Sequence, residues 1–85
     1  MLDPHQRYAH NSLGTIYERQ GLPEKAKDEY LMEIENAPYN DKAYSNLAGI
    51  YLRQGKLAKA RKLWEEALRL NPGNPAARKS LDALK

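Results

Sequence analysis

Apolar residues recur along the chain at helical spacing, in blocks separated by glycine and proline. Ala9, Leu13, Ile16 and Tyr17 fall at i, i+4, i+7 and i+8, which places them on one face of a helix. Asp3-Pro4 reads as its N-cap and first turn, and Gly21 as its stop after about Gln20. Pro23 opens a second helix, with Glu24 favourable near the positive end. Ala26, Tyr30, Ile34 and Ala37 form its apolar stripe, joined by Leu31, and Pro38 ends it. Asn40 caps a third helix over about 41–54, with Ala43, Tyr44, Leu47, Ala48, Ile50 and Tyr51 as its apolar positions and Gly55 as its stop. A fourth, over about 57–70, carries Leu57, Ala60, Leu63, Trp64, Ala67, Leu68 and Leu70. Asn71-Pro72-Gly73 breaks it, and Asn74-Pro75 repeats the cap-plus-proline start of a fifth, short helix to about Leu84. No stretch alternates with the period of a strand. The pattern predicts an all-α protein of five helices whose short connections make neighbours antiparallel.

The pattern repeats. Residues 7–40 fall under 41–74 at a constant offset of 34 without a gap. The punctuation coincides (Gly21 with Gly55, Pro38 with Pro72, Asn40 with Asn74), and so do Leu13/Leu47, Ile16/Ile50, Tyr17/Tyr51 and Ala26/Ala60. A period of this length signals stacked helical hairpins. Residues 41–74 set Tyr44, Leu47-Ala48, Tyr51, Gly55, Ala60, Trp64, Ala67 and Pro72 at the offsets of the tetratricopeptide repeat (TPR), which this layout resembles. Residues 7–40 match with Leu13-Gly14, Tyr17, Gly21, Ala26, Tyr30 and Pro38. They depart at His10, where the family has a large aromatic, and at Glu33, where it has a small alanine; looser packing is expected there. The resemblance implies a single domain over 1–85, built as a right-handed helical solenoid. Its parts are a first repeat at 7–40, a second at 41–74 and a capping helix at 75–85. Residues 2–6 look like the end of a preceding repeat, so a segment of a longer array is expected.

The resemblance also implies a site. In this family the first helices of the hairpins line a concave groove that takes an extended peptide or a partner helix. Carried over by position, the peptide-binding residues are Asn11, Thr15 and Arg19 from the first helix, Lys42, Ser45, Asn46, Gly49 and Arg53 from the third, and Lys79 from the fifth. Tyr8, Ser12, Glu18, Leu52, Ser80 and Ala83 share that face. The Asn46 amide both donates and accepts, as a peptide backbone requires, and Arg19, Arg53 and Lys79 suit carboxylates. The carboxylate clamp of the chaperone-binding members is not reproduced. Only Asn46 matches, and the other four positions hold Asn11, Thr15, Ala76 and Ser80, none of them basic.

Composition narrows the classes. Eighty-five residues allow one small domain, and the absence of cysteine excludes disulfides and thiolate chemistry. No apolar run is long enough for a membrane span and no signal-peptide core is present, so the cytoplasm is the default expectation. The net charge of +3 divides into −3 over residues 1–40 and +6 over residues 41–85. Such segregation suits an acidic partner or head-to-tail association. Catalysis, cofactors and metals are not expected. His5 and His10 do not share a helix face, and no serine has a base at recognisable spacing. Lys56, Lys59, Arg61 and Lys62 raise nucleic acid as a partner, but pairing of Arg61 with Glu65, Lys62 with Glu66 and Glu65 with Arg69 at i,i+4 argues for a solvated face. The reading is therefore a non-catalytic protein–protein interaction scaffold with a protein or peptide partner, an acidic one suiting the groove's basic edges, and without nucleic acid or membrane. Two alternatives stay open: a homo-oligomer built end to end through the repeat ends, and an accessory segment of a larger enzyme or secretion or assembly protein.

Overall fold

The computed structural model describes residues 9–84, with side chains from Ser12 onward. The expected opening at Asp3-Pro4, the 2–6 segment and the side chains of His10 and Asn11 lie outside the described residues. Five helices follow in order: α1 (Ala9–Arg19), α2 (Pro23–Asn36), α3 (Asp41–Arg53), α4 (Leu57–Leu70) and α5 (Pro75–Ala83). No strand occurs among the described residues.

Each hairpin turns on a glycine in the left-handed region, Gly21 at φ 74° and Gly55 at φ 77°. Their neighbours close the helix ends in the same way. Leu22 N donates to Tyr17 O at 2.9 Å and Lys56 N to Tyr51 O at 2.8 Å, while Gly21 N and Gly55 N reach Glu18 O and Leu52 O. This pattern satisfies the last carbonyls of the helix and folds the chain back on itself. Asn40 and Asn74 then start α3 and α5 with side-chain caps, accepting from Lys42 N and Ala77 N.

The core forms two clusters. Ala26, Tyr30, Leu47 and Ile50 join α2 to α3, and Ala48, Ala60, Trp64, Ala67 and Ala77 join α3, α4 and α5. Tyr51 and Leu63 pack against both, so the hairpins share one continuous interior. Buried alanines let helix backbones approach, and Tyr30 and Trp64 fill the space between.

Three expectations are corrected. Leu31 does not join the buried stripe of α2 and is 44% exposed, because the inward line runs Ala26, Tyr30, Glu33, Ala37. One residue past Tyr30 lies about 100° around the helix. Ile16 is likewise exposed. Glu33 does not sit in loosely packed space; it is fully buried, at the position equivalent to buried Ala67. Asn40 Nδ2 donates to Glu33 Oε2 at 2.9 Å, and Oε1 has no partner among the described residues.

Candidate functional site

Lys42, Asn46, Gly49 and Arg53 recur at steps of four, three and four along α3, on the side away from Tyr44, Leu47, Ala48 and Tyr51, which pack inward. Lys42 and Arg53 are exposed, and Asn46 and Gly49 are half-buried. A methyl added at Gly49 would meet nothing within 4 Å, so the floor there is open. Ser45 is not available in the same way. It is buried, its hydroxyl donates to Lys42 O at 3.1 Å, and Asn74 Nδ2 lies 3.5 Å from it.

The α1 and α3 faces meet through a chain of polar side chains. The Arg53 guanidinium pairs with the Glu18 carboxylate, which also accepts from the Tyr30 hydroxyl. Thr15 Oγ1 lies 3.4 Å from that hydroxyl, and Arg53 Nε donates to Gly49 O at 3.4 Å. Burial, and then the Glu18 acceptor, push the Tyr30 phenol above its ordinary value. Beside this chain, Glu18, Gly21, Pro23, Ile50, Arg53 and Gln54 line a hollow of about 320 Å³. Gln54 Nε2 donates to Glu24 Oε2 at 2.7 Å, a second tie between hairpins. Lys27, 2.9 Å away, and then Gln54 hold the Glu24 carboxyl below its usual range.

Thr15, Arg19, Lys42, Asn46, Gly49 and Arg53 thus lie on helices α1 and α3, which adjoin through Glu18 and Arg53. Lys79 is exposed on α5, and Asn11 lies on α1 with its side chain outside the described residues. The chain's periodicity puts Glu18 and Arg53 on one face but does not pair them. Opposite charges one repeat and one residue apart were the available signal. The ladder expected on α4 is corrected as well. Among the described residues none of the three i,i+4 pairs forms, and Glu66 instead takes Arg69 at 2.5 Å, which lowers the Glu66 carboxyl below its usual range. Arg61, Lys62 and Glu65 are left to solvent.

Among the described residues no group of three His, Cys, Asp or Glu is placed to hold a metal, and no helix is long and apolar enough to cross a membrane. Stacked antiparallel hairpins with an open polar face define an all-α helical-repeat protein. Residues 41–74 match the family model described as Tetratricopeptide repeat, the family the repeat pattern resembles. No curated protein matches the chain. Repeats of this family serve in general as protein–protein interaction modules and are typically non-catalytic.

Proposed function

We propose that the chain binds an extended peptide, or one face of a partner helix, across the adjoining surfaces of α1 and α3. The observation that carries this reading is the open floor at Gly49, with Asn46 and Arg53 on the same side of α3. A backbone can approach glycine closely, and the amide of Asn46, one helical turn earlier on the same side, can both donate to and accept from a peptide unit. Carboxylates on the ligand fit Arg19, Lys42, Arg53 and Lys79. Arg53 is 65% exposed in spite of its bond to Glu18, so a ligand carboxylate can share the guanidinium.

The test is selection of random displayed peptides on the chain, followed by binding to three variants. Asn46→Ala and Arg53→Glu should each weaken the selected peptides. Gly49→Ala should weaken them too, while stabilising α3 by about 0.5–1 kcal/mol through better helix propensity. Peptides that bind all three variants as well as the parent would place the site elsewhere.

A further inference from the structure

A second surface lies on the other side of α3. Leu31, Leu47, Tyr51, Lys59, Lys62 and Leu63 line a furrow of about 280 Å³ between α2 and α4. Tyr51 stands about half a turn around α3 from Asn46 and Gly49, so the furrow and the groove open on different faces. Its floor is apolar and its rim is basic. Lys27, Lys56 and Lys59 bring their ammonium groups to 5.9, 5.7 and 5.5 Å from the centre of the Tyr51 ring. The equivalent ring one repeat earlier, Tyr17, has Lys25 at 5.8 Å. Lys27 is balanced by Glu24, but Lys56, Lys59 and Lys62 form no ion pair among the described residues.

We infer that this furrow docks a short acidic segment of another protein. One large apolar side chain sits over Leu31, Leu47 and Leu63, and the carboxylates flanking it meet Lys56, Lys59 and Lys62. The volume lies just under the roughly 300–1,000 Å³ of small-molecule pockets and suits a side chain better than a cofactor. Charge complementarity selects an acidic occupant. A nucleic acid strand would need an open aromatic face to stack on, and the lysines already attend the Tyr51 ring. A membrane surface would reach Leu31, which projects, but not Leu47 at the base of the furrow, which is 1% exposed and open only to an inserted side chain.

The probe is a fluorescein-labelled peptide with one leucine between two pairs of glutamates, titrated into the full chain and followed by anisotropy and by amide chemical shifts. The expected result is saturable binding with shifts around Leu31, Tyr51 and Leu63. Lys59→Glu combined with Lys62→Glu should weaken it roughly tenfold or more. Serine in place of the peptide's leucine should weaken it as well, and Asn46→Ala and Arg53→Glu should leave it unchanged. Leu31→Gln, at an exposed position, tests the apolar floor without charge reversal, and circular dichroism checks that each variant is folded. Four outcomes overturn the proposal: no saturable binding, equal binding by folded variants, shifts confined to the α1 and α3 face, or equally tight binding of a thymidine oligonucleotide or of phosphatidylserine vesicles.

Discussion

Gly14 and Tyr30 explain each other. A Cβ at Gly14 would lie 2.8 Å from both Cδ1 and Cζ of the Tyr30 ring, which is fully buried and has nowhere to move. The second repeat solves the same contact with Ala48 against Trp64. Gly14→Ala gains about 1 kcal/mol of helix propensity but overpacks the ring at about 1–3 kcal/mol, so a net loss of up to about 2 kcal/mol is expected in urea denaturation. The Tyr30 hydroxyl adds a pH dependence. Its folded value is raised above the ordinary 10, so stability is complete below about pH 10 and falls as pH rises toward the folded value. Tyr30→Phe should lower stability at pH 8 by about 1–3 kcal/mol, through the lost bond to the Glu18 carboxylate, and flatten the alkaline decline. Tyr44, also raised by burial, keeps some decline in the variant. An unchanged alkaline slope would refute the assignment. Glu33 is the costly residue. A carboxylate at an alanine position, with one oxygen unpartnered among the described residues, opposes folding, and Asn40 offsets only part of that.

Among the elements, the two asparagine-started helices show one cap used for two ends. Asn40 and Asn74 each accept a backbone N–H through Oδ1 and donate through Nδ2. Asn40 donates back to Glu33 of its own hairpin, whereas Asn74 donates to Asp41 Oδ2 at 2.7 Å and so pins α5 to the start of α3. Asn71 Nδ2 reaches the same oxygen at 3.1 Å. Asn74→Ala removes a cap and a charge-assisted bond together. A loss of about 2–4 kcal/mol is expected, with α5 amides exchanging fastest by hydrogen–deuterium exchange. Uniform exchange over all five helices would mean that α5 is held by the packing of Ala77, Leu81 and Leu84 rather than by Asn74. On α4, the expected i,i+4 ladder gives way to the single i,i+3 pair of Glu66 and Arg69. Exposed pairs of this kind are worth little in either register, so solvent and rotamer freedom decide.

At the scale of the whole molecule, the hairpins are tied on two sides. Glu18 with Arg53, Glu24 with Gln54, and Tyr44 with Pro38 O at 2.9 Å link them through polar side chains, while Tyr51 and Leu63 are common to both core clusters. In a stack whose units meet only their neighbours, such links set the cooperativity. The same geometry separates the two proposed surfaces. Residues of α3 that face away from the packing line the proposed groove, and residues on its packed side border the furrow, so a variant in one is expected to leave the other intact.

Apart from the start of α1, which lies outside the described residues, the positions and ends of the helices were legible in the chain, because they depend on local chemistry. Glycine at the left-handed stop, proline at the first turn and asparagine at the cap act within a few residues, and the constant 34-residue offset repeats them. Which residues lie inward was mostly legible from periodicity. The exceptions, Ile16 and Leu31 facing out and Glu33 facing in, turn on how α1 and α2 are rotated against their neighbours, which no local rule specifies. The residues of the proposed groove could be placed on one face, but not the capture of Arg53 by Glu18 or the withdrawal of Ser45, since both need side chains from distant helices to meet. The furrow was not legible at all. Lys27, Lys56 and Lys59 come from two helices and a turn, and only packing around Tyr51 brings three like charges to one ring.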